Sequence, residues 1–374
     1  MNRQEKVYIP LGLYVHVPFC AAKCDYCAFY KEPPSRQNLE CYLHALLLEI
    51  QFIHDERAFD TIYFGGGTPG ILSPKVIDQI ATTLHSKIHK MPLEWTLEIA
   101  PSTVNMEKLQ HWKAAGVNRI SMGIQSFNGV MLRTLGRKQT LQQIFHAYEL
   151  VRSTGFTNVG IDLIFSAPGQ TNNQLLDDLS TAIALSPEHI STYCLSYEDG
   201  TVLKNRLGDG AEENRDHDFY EIVCEFLETH GYQQYEISNF CKNGYASVHN
   251  RNTWLMHEWI GIGPSASSQY GELRYTNVAS LDRWATGIEN GIPERTDVVK
   301  LNKQMLAIDE IIFGLRMNDG VDLEKNPHHE RLAEFFHDLY NEALLIREDS
   351  RVRLTQRGRL LCDAIAKEIF NALE

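Results

Sequence analysis

The fold this sequence predicts is α/β: a partial (β/α)6 barrel followed by a small α+β module resembling a winged helix. Three observations predict it. Six short apolar runs alternate with amphipathic stretches through the first half of the chain. Polar or glycine residues stand at the end of every run. Past residue 301 the alternation gives way to helices, a short hairpin and a last helix. Near-continuous apolar strands separated by helices belong to parallel sheets covered on both faces. Six such units over about 190 residues fit an open or partial barrel by the rules for connecting parallel strands.

Taken in order, the strand runs are LYVHV (13–17), TIYF (61–64), WTLEI (95–99), RISMGI (119–124), VGIDLIF (159–165) and ISTYCL (190–195). Helical segments at 38–54, 74–89, 105–115, 140–154 and 172–185 separate them. Around 200–215 the chain turns polar and glycine-rich and reads as a loop leaving the barrel. Residues 216–231 read as a helix ending at Gly231; YQQYEISNF and HNRNTWLMHEWIGIG then close the first domain. From Leu301, helical QMLAIDEIIFGLR and RLAEFFHDLYNEALL precede strands LIRED and RVRLT, joined at Asp349-Ser350, and helical QRGRLLCDAIAKEIF. The division is therefore 1–215, a partial barrel; 216–300, a barrel-closing extension; and 301–374, a winged-helix-like domain. No internal repeat or low-complexity segment interrupts it.

Composition narrows the function. With 374 residues, 43% of them hydrophobic, the chain can bury a full core. A net charge of −13 argues against a nucleic-acid partner, whose phosphates call for Lys and Arg clusters. The C-terminal module is accordingly expected to pack on the barrel. No apolar run reaches membrane-spanning length. The early LGLYVHVPF is short, contains His16 and Pro18, and has no small-residue cleavage site after it. The expected compartment is the cytoplasm, where thiols stay reduced and a tight cysteine cluster suggests metal or redox chemistry.

That cluster is CAAKCDYC, residues 20–27, with Cys20, Cys24 and Cys27. Zinc is one reading, with His16 or Cys41 as fourth ligand, but structural zinc usually takes two cysteine pairs and four closed ligands. C-x3-C-x2-C with no obvious fourth ligand fits a cubane better: three thiolates hold three irons and the fourth iron stays open. The scattered Cys41, Cys194, Cys224, Cys241 and Cys362 read as small buried hydrophobes.

Ligands of parallel α/β architectures collect at the C-terminal ends of strands. There the chain places the cysteine loop, GGGTP (65–69), Glu98, Gln125, Asp162 and Ser196, one after another. GGGTP is neither a P-loop nor a dinucleotide fingerprint, since Pro69 and Gly70 follow. Alone it is a tight turn; beside the cysteine loop it reads as part of one site.

At this point the sequence resembles a known family. YVHVPFCAAKCDYC with FGGGTP, extended by RISMGIQSFN, LGR (135–137), NVGIDLIFSAPGQ and WIGIGPSAS, is similar to the radical S-adenosylmethionine (SAM) superfamily. The branch is that of the oxygen-independent coproporphyrinogen III oxidases and the HemW heme chaperones, and the resemblance spans nearly the whole chain. It implies a [4Fe–4S] cluster on Cys20, Cys24 and Cys27, and SAM at the open iron. It also implies SAM contacts from Tyr14, Tyr26, Gly66, Gly67, Thr68, Glu98, Gln125, Arg137, Asp162 and Ser196. Carboxylates there can accept from ribose hydroxyls and an ammonium, and Arg137 can pair with the SAM carboxylate.

Two functions compete within the branch. One is oxidative decarboxylation of coproporphyrinogen III to protoporphyrinogen IX. The other is heme binding and transfer to client proteins. The oxidases usually extend the motif to C-x3-C-x2-C-x-C, and position 29 here is Phe29; they also carry a longer arm than the 19 residues before Cys20. HemW proteins carry H-N-x-x-Y-W, and HNRNTW (249–254) keeps His249, Asn250 and Trp254, with Thr253 in place of tyrosine; Ser267 stands where many relatives have histidine. The resemblance therefore implies a heme chaperone that cleaves SAM without oxidase turnover, with His249, Asn250 and Trp254 as heme contacts. Its partners would be heme, a flavodoxin- or ferredoxin-like reductant and heme-accepting clients.

Overall fold

The computed structural model describes residues 10–208 and 213–373. Six parallel strands form its centre: β1 (Leu11–Val17), β2 (Thr61–Gly66), β3 (Glu94–Ile99), β4 (Arg119–Gln125), β5 (Val159–Phe165) and β6 (His189–Cys194), paired in chain order. Helices α1 (Arg36–Gln51), α2 (Pro74–His85), α3 (Met106–Ala115), α4 (Gly129–Thr134), α5 (Leu141–Ser153) and α6 (Asn172–Leu185) connect them. Each strand lies within two residues of its expected run.

Local chemistry starts and stops these helices. Ser35 and Asn105 cap α1 and α3 by accepting from the N–H groups of Asn38 and Lys108. Thr140 with Gln143 and Thr171 with Gln174 form reciprocal capping boxes on α5 and α6. The strands are buried on both faces, so β2 to β5 present Ile62, Phe64, Trp95, Leu97, Ile120, Met122, Val159 and Ile161 to one continuous core. The covering helices fill its other side with Leu46, Ile80, Trp112 and Leu179.

The segment after β6 departs from expectation. Thr201 caps a short helix, α7 (Val202–Leu207), where a loop was expected. Its Leu203 is buried and donates its N–H to the Asp25 carbonyl at 2.8 Å, so α7 lies against the cysteine loop. Residues 209–212 of that stretch lie outside the described residues. Helix α8 (Glu213–Thr229) leads to β7 (Gln233–Glu236) and β8 (Asn239–Cys241), an antiparallel pair added beside β6. Helix α9 (Val248–Trp254) carries HNRNTW, and β9 (Glu258–Ile262) adds parallel to β1 at the other edge. Beyond it run β10 (Ser267–Tyr270), β11 (Leu273–Asn277), helix α10 (Leu281–Glu289) and β12 (Arg295–Lys300).

The expectation that 216–300 closes the barrel is thus corrected. The extension adds strands at both edges, and among the described residues the twelve-stranded sheet stays open between β7 and β12. Glu49 of α1 secures it: buried, it accepts from the Gly263 N–H (2.7 Å), the Asn277 amide (3.0 Å) and the Trp284 indole (3.2 Å).

The C-terminal module has its own core of Ile308, Ile311, Leu315, Phe336, Leu345, Val352 and Ile369. It consists of α11 (Lys303–Arg316), β13 (Val321–Asp322), α12 (Ala333–Asn341), β14 (Leu345–Glu348), β15 (Arg351–Leu354), α13 (Gln356–Leu360) and α14 (Cys362–Leu373), with the strands ordered β13-β15-β14. It packs on the barrel through α9. Arg316 lies 4.8 Å over the Trp254 ring, Phe313 packs beside that ring, and Arg251 pairs with Asp319 at 2.9 Å. No helix among the described residues is long and apolar enough to cross a membrane.

Candidate functional site

The residues at the strand ends meet around a cavity of about 630 Å³. Its wall includes Cys20, Cys24, Cys27 and Tyr26 from the loop after β1, and Gly66, Gly67 and Thr68 after β2. Glu98, Gln125, Asp162 and Ser196 arrive from β3, β4, β5 and the end of β6, and Arg137 from the turn after α4. Every expected SAM contact except Tyr14 lies on this wall.

Backbone bonds fix the cysteine loop. Glu32 N–H donates to the Pro18 carbonyl at 2.7 Å, Asp25 N–H to Leu135 at 3.1 Å, and Cys27 N–H to Cys24 at 3.3 Å. The Cys20 thiol lies 3.6 Å from the Thr68 hydroxyl, and Arg137 donates to the Cys24 sulfur at 3.4 Å. Two glycines of GGGTP are required sterically. Gly66 has φ 101°, and a Cβ there would meet the His16 ring at 2.5 Å; a Cβ on Gly67 would meet the Phe19 carbonyl at 2.7 Å. The glycine run therefore lets the end of β2 press against the chain after β1.

Two carboxyls face the cavity. Glu98 accepts from the Tyr63 hydroxyl at 2.7 Å and from the Gly66 N–H. Burial, with Asp162 nearby, pushes its carboxyl up to about 7. Asp162 accepts from the Ser121 hydroxyl at 3.1 Å, and burial raises it too, against the pull of its serine partners, Arg119 and Arg137. Arg137 donates to the Gly123 carbonyl, yet its buried Nε has no partner. Gln125 adopts φ 75° at a bulge between β4 and β5, a costly conformation for a residue with a side chain.

These residues fit the cofactors the sequence implied. Three thiols on one loop are the donor set of a site-differentiated cubane. Two half-buried carboxyls and an arginine with an orphaned N–H match a ligand bearing an ammonium, hydroxyls and a carboxylate. The zinc alternative finds no support. The His16 ring is engaged by the Tyr14 hydroxyl (3.1 Å) and the Tyr30 carbonyl (3.4 Å), and Cys41 sits on α1 near Asp282 and Glu289. Among the described residues no three His, Cys, Asp or Glu groups could hold a single metal ion.

Two expectations need correction, and one expected residue stands apart from the wall. Tyr14 is not among the residues that line the cavity. It lies opposite Tyr63 in the strand register, with its ring inside the barrel between His16 and Tyr63. Cys194 is not a buried hydrophobe but an exposed residue of the wall; Cys224, Cys241 and Cys362 are buried. The HNRNTW segment lies at the opposite end of the barrel. His249 is 8% exposed, its Nδ1 2.8 Å from the Thr61 hydroxyl and its ring stacked on Tyr63 at 5.0 Å. Burial lowers its imidazole to about 4. Asn250 donates its backbone N–H to the Ser247 hydroxyl at 3.3 Å, and Trp254 holds the C-terminal module. As folded, His249 offers no open face to a porphyrin; the segment joins the barrel floor to the module.

Sequence reasoning missed Lys31, Ser121, Gly123, Ile164, Tyr193, Leu195 and Glu198, which also line the cavity. Period-two alternation could have found Ser121 and Gly123, which share a face of β4 with Gln125. No comparable signal marks Lys31 or Tyr193.

Comparison with known proteins agrees with this geometry. Residues 14–182 match the radical SAM superfamily and residues 301–361 the HemN C-terminal domain. The heme chaperone HemW of Lactococcus lactis is 34% identical, covering 93% of this chain and 94% of that protein. HemW of Bacillus subtilis is also 34% identical, covering 96% and 98%. Among solved structures, the coproporphyrinogen III oxidase HemN of Escherichia coli matches with a TM-score of 0.83 at 24% identity, covering 96% of this chain and 90% of that one. At that identity the likeness shows the fold alone.

Proposed function

We propose that this chain, which belongs to the HemW family of the radical SAM superfamily, binds heme and passes it to client proteins. The observation that carries the reading is end-to-end similarity to relatives named heme chaperones. Position 29 supports it, because the residue two past Cys27 is a phenylalanine rather than a fourth cysteine.

A [4Fe–4S] cluster held by Cys20, Cys24 and Cys27 would supply, when reduced, the electron that cleaves the sulfonium of SAM. The chain's own contribution is positioning. Arg137 reaches the Cys24 sulfur and keeps one N–H free for a carboxylate. Glu98 and Asp162 present carboxyls to an ammonium and to hydroxyls, and the backbone of Gly66 and Gly67 forms part of the wall the ligand meets. The electrons are expected from a flavodoxin- or ferredoxin-like donor. A cytoplasmic setting agrees with eight cysteines that are all free.

Anaerobic reconstitution followed by two assays on one sample tests this. Heme should bind with a Soret shift, and coproporphyrinogen III should not be consumed. Turnover to protoporphyrinogen IX would replace the proposal with the oxidase.

A further inference from the structure

We infer that the heme cargo docks on the wall of the same cavity, on Phe29 and Tyr193, and not at the HNRNTW segment. The inference rests on the heme-chaperone reading and deepens it by giving the cargo a place.

The first ground is exposed aromatic surface. Trp95, Trp112, Trp284 and Phe64 are all below 2% exposed, while Phe52 (44%) and Phe370 (45%) are exposed away from the cavity wall. Phe29 is 69% exposed and Tyr193 43%, and both line the cavity, beside Ile164 and Leu195. Keeping such rings in water is unfavourable, and a flat apolar ligand stacked on them recovers that cost. Glu98, Asp162 and Arg137 suit the polar SAM; Tyr193 hydrogen-bonds to Ser191 near Asp162, so its ring joins that polar part to the apolar wall of Ile164 and Leu195.

The second ground is charge. In a chain of net charge −13, the cysteine loop carries Lys23 and Lys31 close to Phe29. Lys31 lines the cavity and donates to the Cys27 carbonyl at 2.9 Å, while Lys23 is exposed with no ion-pair partner among the described residues. The acids of that loop are engaged: Asp25 pairs with Arg206 at 3.2 Å, and Glu32 accepts from the Tyr30 hydroxyl at 2.6 Å. The Lys31 ammonium on this wall, with Lys23 exposed on the same loop, matches a planar macrocycle that carries carboxylates along one edge. Glu198, on the β6 side of the wall, disfavours the reverse orientation.

The third ground is exclusion. The imidazole first expected to meet heme is packed at the barrel floor against Thr61 and Tyr63.

The test is hemin titration of the anaerobically reconstituted full-length protein, followed by the Soret band. Phe29→Ala and Tyr193→Ala should each weaken hemin binding about tenfold, and Phe29→Trp should restore it. Cys194, exposed on the same wall, serves as a reporter. Bound hemin should slow its alkylation by N-ethylmaleimide at least fivefold, as mapped by peptide mass spectrometry. His249→Ala, provided that circular dichroism shows it folded, should leave both readouts unchanged. Equal hemin affinity in wild type, Phe29→Ala and Tyr193→Ala, with Cys194 labelled at the unprotected rate, would overturn the site while leaving the chaperone reading intact. No hemin binding by wild type would overturn the chaperone reading itself.

Discussion

Strand β3 carries two glutamates, Glu94 at its start and Glu98 four residues later, and the protein uses them oppositely. Glu94 is 3% exposed and accepts from the Ser247 hydroxyl at 3.1 Å and from the Val248 and His249 N–H groups at 2.9 and 3.0 Å. Buried Arg119 stands 3.6 Å away. This carboxylate serves as a cap for α9 and a counter-charge for an arginine. Glu98 has two donors, a neighbouring carboxyl in Asp162 and a cavity in front of it. Burial alone does not distinguish function from structure here. What separates the two residues is how much of their hydrogen-bonding capacity is left over for something else.

The largest contrast lies between the thiols of the cavity. Alanine at Cys20, Cys24 or Cys27 should abolish a cluster of about four irons and four sulfides. Alanine at Cys194, on the same wall but away from the loop, should retain it. Iron and sulfide analysis after anaerobic reconstitution decides, and full cluster content in Cys24→Ala would break the assignment.

Next come the glutamates themselves. Glu94→Ala leaves three donors and Arg119 without their acceptor, so urea unfolding should show a loss of about 3–5 kcal/mol. Glu98→Gln should instead weaken SAM binding by about 1.5–3 kcal/mol, roughly ten- to a hundredfold, with the cluster retained. A Glu98 variant that loses stability but not SAM affinity would place both residues in one structural class.

The pH dependence sharpens the same pair. The Glu98 carboxyl rises from an ordinary 4.5 to about 7 in the fold, chiefly through burial. The neutral acid is thus the form that folding favours. Its stabilisation is complete below pH 4.5 and lost as pH climbs to 7, by at most on the order of 3 kcal/mol, since solvent reaching the cavity screens the charge. Glu98→Gln should remove that slope from the stability curve of the cofactor-free protein. SAM affinity should run the other way, rising through pH 7 in wild type as the carboxylate forms, and staying flat in the glutamine variant.

The same contrast explains what was readable in the sequence. The strands were legible because parallel strands must be apolar on both faces, and VGIDLIF and TIYF leave no alternative period. The cavity was legible because Glu98, Gln125 and Asp162, in or just after the later part of their runs, stand out against Leu97, Ile124 and Ile161. His249 was misread because a histidine beside an asparagine carries no mark of which barrel end it occupies. That depends on Glu94 and Thr61, more than 150 residues away in the chain. Tyr193 and Cys194 were missed because a strand's last residues look like core until the loop opposite them is placed.

The smallest expected effect concerns a residue one layer behind the cavity. Buried Asp178, on α6, accepts from the Ser126 hydroxyl and the Phe127 N–H, both at 2.6 Å. The Ser126 oxygen in turn accepts from the Asn128 N–H at 2.9 Å. This chain of bonds holds the turn after Gln125, whose left-handed backbone at φ 75° needs outside support. Asparagine at 178 keeps one oxygen for Phe127 but presents an NH2 where Ser126 needs an acceptor. The hydroxyl can turn to accept from that NH2, but its own proton then loses the carboxylate acceptor. The expected cost is about 1 kcal/mol, near fivefold in S-adenosylhomocysteine binding by calorimetry at pH 8. Burial raises the Asp178 carboxyl to about 6. Below that pH the wild-type side chain is itself protonated, and its affinity should converge on that of Asp178→Asn. Removal of a floor residue, as in His249→Ala, should leave this binding untouched at either pH. If Asp178→Asn bound as tightly as wild type at pH 8, the support of Gln125 would have to come from the bulge alone.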